Sequence, residues 1–220
     1  GNELKAKVAA LAPDTSYQLR LRVRDDRGWS AWSDPSEGKT LASVFADSQL
    51  LQPAQDKLLS EWVGGGKWQL IYRGSRDGFA AAKFHQLCDG KSATTIVIRS
   101  SNGNLFGGHT PLDWTSNDNY KWDASGRTFL FSLVNATGQP VKLDNTGPQH
   151  NNTYSILCAN NCGPIFGGGY DLNIASDCNA SNNSYSNLGH SFAAPPGTQY
   201  NTLAAQSFLA GSNPCVVSEI

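Results

Sequence analysis

Residues 94–109 read T-T-I-V-I-R-S-S-N-G-N-L-F-G-G-H, and this run constrains the fold more than any other. Asn102-Gly103 offers the positive φ that a tight hairpin turn needs. The β-branched run 94–100 and the strand that starts at Leu105-Phe106 are therefore expected to be antiparallel neighbours. Just upstream, Trp68, Leu70 and Tyr72 alternate with Gln69 and Ile71, which predicts a strand with one buried face. Gly74 and Ser75 break it. Asp77 is placed to cap a helix over 78–88 by accepting its first free N–H groups. Ala81, Phe84, Leu87 and Cys88 make the apolar face of that helix, and Asp89-Gly90 ends it.

The rest of the second part of the chain reads in the same way. A helix is expected over 48–62. Pro53 is tolerated only in its first turn, so the regular part starts near Gln52. Its apolar stripe is Leu51, Leu58, Leu59 and Trp62, and residues 63–66 end it. A polar loop over 110–126 carries Trp114, Tyr120 and Trp122. Strands follow at 127–134, 141–143, 153–157 and 171–174, with a tight loop at 158–162 and a polar loop at 176–187. Ile165-Phe166-Gly167-Gly168-Gly169 echoes Leu105-Phe106-Gly107-Gly108, as expected where backbones pack closely at a strand end.

Several blocks carry a resemblance. They are W-x-L-x-Y-R-x-S-R-D-G-F from Trp68, F-H-x-x-C-D from Phe84, F-G-G at Phe106 and F-L-F-S-L at 129–133. Next come G-P-I-F-G-G-G-Y-D-L at 163–172, N-N-S-Y-S-N-L-G at 182–189 and S-F-L-A-G-S at 207–212. In this order they resemble the TLDc domain, the module of the oxidation-resistance proteins, over roughly 45–220. The resemblance implies a two-sheet antiparallel β-sandwich with a few short helices. It also implies a non-enzymatic protein-interaction module with a role in oxidative-stress resistance and, in some relatives, binding to the vacuolar proton pump. No cofactor is implied. His109 stands where relatives often carry Tyr after F-G-G, and the cysteine-bearing loop at 158–162 departs from the pattern. Glu219 matches an acidic position of the family's closing motif, and the last strand is expected to be clipped.

Residues 1–40 read differently. Tyr17, Leu19, Leu21 and Val23 alternate with Gln18, Arg20, Arg22 and Arg24, a half-buried strand of period two. Trp29-Ser30-Ala31-Trp32-Ser33 follows. Together these resemble the C-terminal part of a fibronectin type III β-sandwich with its W-S-x-W-S motif. Tyr17 then takes the place of a tyrosine corner, bonding back near Leu11. Arg20, Arg22 and Arg24 share a face on which they can interleave with Trp29 and Trp32. With about three of the strands that such a sandwich needs, the segment is not expected to close its own core. The division is thus 1–40 for this incomplete domain, 41–47 for a linker and 48–220 for the TLDc domain, in a mainly β protein.

The bulk numbers exclude some classes. With 17 basic and 18 acidic residues among 220, the chain lacks the basic excess of a general nucleic-acid or anionic-membrane binder. No apolar run is long enough to span a membrane. N-x-S/T sequons at Asn135, Asn151, Asn179 and Asn182 compare with about three expected by chance in so Asn- and Ser-rich a chain. Five cysteines leave one thiol without an internal partner. A Cys158–Cys162 disulfide is geometrically open, and Cys178 or Cys215 can pair with either instead. The fibronectin-like segment and the sequons point outside the cell and the TLDc resemblance inside it, so location stays open.

Chemistry is sparse. His85 and Cys88 lie one helical turn apart and with Cys158 and Cys162 offer four zinc-type ligands, but the C-x3-C spacing is not the usual knuckle. The same pair can be read as a thiol nucleophile and its base, although nothing marks an orienting group or an oxyanion hole. The simpler expectation makes Cys88 a buried small hydrophobe and leaves His85 at the helix surface. Phe166-Gly167-Gly168-Gly169 lacks the Lys-Ser/Thr of a phosphate loop. The expected interaction surface comprises Asp77, Lys83, His85, Asp89, His109, Trp114 and Trp122, with protein partners. The alternatives are an extracellular adhesive protein and a thiol-based hydrolase using Cys88 and His85.

Overall fold

The computed structural model describes residues 8, 11, 12, 14–40, 42–149 and 154–220. They form two compact units, Gly1–Gln69 and Leu70–Ile220. The sequon at Asn151 and the start of the strand expected at 153 lie outside the described residues.

In the first unit, β1 (Ser16–Leu19) pairs with β4 (Ser36–Lys39), and β2 (Arg24–Asp25) pairs with β3 (Gly28–Trp29), all antiparallel. The strand expected to run unbroken through residue 24 is interrupted at 20–23 for a chemical reason. The Ser33 and Ser30 hydroxyls accept the Leu21 and Val23 N–H groups at 2.9 and 3.0 Å, where a ladder would use carbonyls. The Ser33 and Ser30 N–H groups answer to the Leu21 and Val23 carbonyls. Arg22 lies between two indoles, 4.3 Å from the Trp29 ring centre and 4.5 Å from Trp32, and Arg24 is 5.7 Å from Trp29. The Tyr17 hydroxyl accepts the Ala12 N–H at 2.8 Å. The half-buried face expected of this strand is exposed instead: Leu19, Leu21 and Val23 are 43%, 59% and 54% accessible, and no described residue before Leu50 is buried.

Helix α1 (Pro53–Val63) starts after Gln52, which joins Gln55 in a capping box, and ends at Gly64 in the left-handed region. Leu59 is its fully buried residue. Asp56, also buried, ties down the preceding chain by accepting the Ser43 hydroxyl and the Val44 and Phe45 N–H groups.

The strand expected over 68–72 is absent. Residues 65–73 hold no regular structure, because the alternation there reflects burial of Tyr72 rather than a ladder with a neighbour. Helices α2 (Gly74–Asp77) and α3 (Ala81–Cys88) follow, separated at Gly78, whose φ of 102° ends the first. Asp77 therefore does not cap the longer helix. Its carboxylate reaches back to the Arg73 N–H at 2.9 Å and pairs with Arg76, whose guanidinium holds its pKa below the usual carboxylate range. The first N–H of α3, on Ala81, goes to the Ser176 hydroxyl 95 residues away.

Two antiparallel sheets make the body. Strands β5 (Thr94–Ser100), β6 (Leu105–Thr110), β8 (Phe129–Val134), β9 (Val141–Asp144) and β13 (Val217–Glu219) form a five-stranded sheet in the order β13-β5-β6-β8-β9. Strands β7 (Tyr120–Lys121), β10 (Ile156–Leu157), β11 (Cys162–Phe166) and β12 (Leu172–Ala175) form a four-stranded sheet in the order β12-β11-β10-β7. A short helix, α4 (Leu203–Gln206), precedes β13. The expected hairpin is present, with Gly103 at φ 85°. Ile98, Phe106 and Leu130 from one sheet and Ile156, Phe166 and Ile174 from the other share one buried cluster, as a sandwich requires.

Gly107 and Gly108 allow close packing as expected, but in the middle of β6 rather than at a strand end, and at Gly108 against a ring rather than a backbone. A Cβ on Gly107 would strike the Ile96 carbonyl, and one on Gly108 would stand 2.5 Å from the Phe166 ring. The loops are fixed by buried acids. Asp171, fully buried, accepts the N–H groups of Gly189, His190, Ser191 and Phe192, while burial lifts its pKa to about 6 against those bonds.

Replacing Gly108 by Ala is expected to push Phe166 out of register. Overpacking of this kind costs about 1–3 kcal/mol, so the urea midpoint of Gly108→Ala should fall while the slope of the transition is kept. An unchanged midpoint would mean that the two sheets have room to spare at this crossing.

Candidate functional site

The residues expected to form an interaction surface separate into three groups once their surroundings are known. His85, His109 and Trp114 are buried, at 7%, 6% and 1% exposure, and do not contribute to a surface. Asp77 and Asp89 are half-buried. Lys83 is exposed and donates to Gln86 on its own helix. Trp122 is exposed.

His85 corrects the expectation of a surface imidazole. Its Nε2 lies 2.9 Å from the Ala159 carbonyl and 3.0 Å from the Cys162 carbonyl. Both oxygens only accept, so Nε2 is a donor to them. Its Nδ1 lies 2.8 Å from Asp89 Oδ1, and the other Asp89 oxygen accepts the Ser116 hydroxyl at 2.5 Å. The chain Ser116–Asp89–His85 is thus a staple across α3, the 110–119 loop and the β10–β11 turn. It inverts the order of a catalytic triad, in which the free imidazole nitrogen faces a nucleophile. Cys88, one turn on, is buried, which together with the nearby Asp89 charge lifts its thiol to about 12. Little thiolate is present at neutral pH.

The five cysteines are free thiols, so Cys158 and Cys162 are not bonded to one another. Cys158 is part of the backbone instead: its N–H goes to Asn119 O, and its carbonyl accepts the Asp118 N–H. Asp118 in turn holds Asn160 through both its backbone and side-chain N–H groups. Among the described residues no group of three His, Cys, Asp or Glu is arranged to hold a metal.

Trp114 lies at the centre of the core. Its ring meets Phe84 at 5.3 Å and Phe166 at 5.7 Å, both edge-on, and its indole N–H donates to the Thr94 hydroxyl. Of the loop's other aromatics, Trp122 faces outward, while Tyr120 packs edge-on against Tyr154 at 4.9 Å and donates its hydroxyl to the Gly168 carbonyl. Tyr120 and Trp122 are 38% and 46% exposed, on and beside β7, which is an edge strand. Sequence reading missed β7 altogether, because its two residues are embedded in polar ones. Glu219 is structural: Oε1 accepts the Ser75 and Ile220 N–H groups. Asn135, first of the sequons, is buried, with its side chain bonded to Ser132, Gln139 and Thr137, whereas Asn179 and Asn182 are exposed. Among the described residues no helix is long and apolar enough to cross a membrane.

His109 takes a Thr95 hydroxyl at Nδ1 and lies on the Phe129 ring at 5.3 Å. Burial, then Arg127 and Lys142, push its pKa down from 6.5 to about 4, with Asp123 pulling the other way. The unfolded chain binds this proton more readily. The stability it contributes is present above pH 6.5 and lost as pH falls towards 4. Going from pH 7 to pH 5 should therefore cost about 2 kcal/mol through this group, and His109→Gln should remove that part of the pH dependence in urea titrations. For His85→Ala, two carbonyls lose their donor and Asp89 its partner. A loss of about 2–4 kcal/mol is expected, with Cys88 labelled faster by a thiol reagent than in the parent protein.

Comparison with curated proteins returns no match. The family model for the TLDc domain matches residues 45–208, well over half of the 220-residue chain. It spans α1, both sheets up to β12 and the 176–192 loops, and on that match the chain belongs to the TLDc domain family.

Proposed function

We propose that the protein acts as a non-enzymatic protein-interaction module of the TLDc type. The observation that carries this reading is the pair of exposed aromatics, Tyr120 and Trp122, at the free edge of the four-stranded sheet. An unpaired edge offers backbone donors and acceptors, and large exposed aromatics are the side chains that anchor protein interfaces. The inward commitment of His85 and the lifted thiol of Cys88 weigh against the thiol-hydrolase alternative. The family resemblance supplies the biological setting: resistance to oxidative stress, with subunits of the vacuolar proton pump as partners. No cofactor takes part.

A second reading rests on the first unit. Residues 1–40 are the C-terminal part of a fibronectin type III domain in this reading, supported by the Tyr17 hydroxyl bond to Ala12 and by Arg22 between Trp29 and Trp32. Such a segment, with exposed sequons at Asn179 and Asn182, favours an extracellular adhesive role.

One experiment separates the two. The immobilised chain is offered cytosolic and cell-surface fractions, and retained proteins are identified by mass spectrometry. Proton-pump subunits retained from cytosol, and reduced at least tenfold by Tyr120→Ala with Trp122→Ala, are expected. Retention unaffected by the double substitution would overturn the edge-strand surface. Capture from the cell-surface fraction alone would favour the adhesive reading.

A further inference from the structure

Cys178 and Cys215 are the two cysteines whose surroundings bring them together. Both belong to the buried core cluster. Cys178 sits in the turn at 176–180, and its carbonyl accepts the N–H of Val217, the first residue of β13, at 2.9 Å. Cys215 lies two residues before Val217, so in extended chain its side chain leaves on the same side as that of the buried Val217. Its own N–H donates to Ser184 at 2.8 Å, on the far limb of the same loop. The segment 215–217 is thus laced to both limbs of the 176–187 loop, which brings Cys215 within electrostatic reach of Cys178.

The electrostatics agree with that placement. Burial lifts the Cys178 thiol to about 12 and that of Cys215 to about 11, and the Cys215 charge contributes to the rise at Cys178. Cys162 is raised by burial, as Cys215 is, and no cysteine charge contributes to its rise; the loop that carries it is closed by backbone bonds and the His85 staple.

We propose that Cys178 and Cys215 form a disulfide when the chain is exposed to an oxidising thiol buffer, closing the 176–180 turn onto β13. The step is thiol–disulfide exchange with a low-molecular-weight disulfide. One cysteine thiolate attacks the small disulfide and expels one small thiolate. The second cysteine then attacks the mixed disulfide and expels the other. One S–S bond forms in the protein and one is broken in the oxidant. The two protein thiols lose two protons and two electrons, and two small thiols are produced. The high thiol pKa values make the exchange slow in the closed fold, so it proceeds as β13 opens or as the chain folds. The bond would fix β13, and with it Glu219 on the Ser75 N–H, to the loop that caps α3 through Ser176. This inference does not depend on the interaction reading above.

The test uses the whole chain purified in reductant. One sample is equilibrated at pH 8 in a glutathione–glutathione disulfide buffer. A second is unfolded and refolded in the same buffer. Both are quenched, alkylated in denaturant and mapped by proteolysis and mass spectrometry. The expected product carries three alkylated cysteines, Cys88, Cys158 and Cys162, with the peptides of Cys178 and Cys215 joined. Its melting midpoint should exceed that of the reduced chain by at least roughly 5 °C, a gain absent in Cys215→Ala. Five alkylated cysteines in both samples, or a bond mapped between Cys158 and Cys162 in place of this one, would overturn the proposal.

Discussion

A line of edge-on aromatic rings runs through the second unit, and the sandwich is assembled around it. Tyr72 meets Phe84 at 5.8 Å, Phe84 meets Trp114, Trp114 meets Phe166, and Phe166 meets Phe192 at 6.2 Å. Each ring comes from a different element: the opening segment, α3, the long loop, β11 and the loop after β12. Edge-to-face pairs contribute about 0.5–1.5 kcal/mol each beyond the area they bury. The geometry is directional, so the line fixes orientation as well as proximity. It also explains why β6 carries Gly108: the Phe166 ring occupies the space a side chain there would fill.

The polar half of the design works through carboxylates rather than through ion pairs. A chain so rich in Gly, Asn and Ser has long connections whose N–H groups need acceptors. Asp56, Asp123 and Asp171 supply them from buried positions. Burial works to raise the pKa of Asp123, yet hydrogen bonds from Ser125 and Thr128 hold it below the usual range. At Asp171 burial wins, with its oxygens gathering four successive N–H groups. The balance differs because Asp171 is the more deeply enclosed of the two. In both places one side chain orders a loop that packing alone would leave loose.

Local signals in the sequence were reliable where a neighbour in sequence is a neighbour in space. The hairpin of β5 and β6, the start of α1 at Gln52 and Gly64 at its end were legible for that reason. Expectations failed where a distant group takes over a local role. Ser176, not Asp77, accepts the first N–H of α3. The helix holding His85 looks amphipathic with the histidine outward, but the β10–β11 turn brings two carbonyls onto it. Trp114 reads as one of three loop aromatics, and nothing local distinguishes it from Trp122. Only the arrival of Phe84 and Phe166 on either side does so.

The first unit answers to different physics. Its three Arg–Trp contacts are exposed, and together contribute roughly 1.5–3 kcal/mol. Leu19, Leu21 and Val23, lying open on the other face, represent a further roughly 1.5–3 kcal/mol apiece if covered. The cation–π stack therefore sets the register and stiffness of the hairpin, while its stability depends on burial of that apolar row.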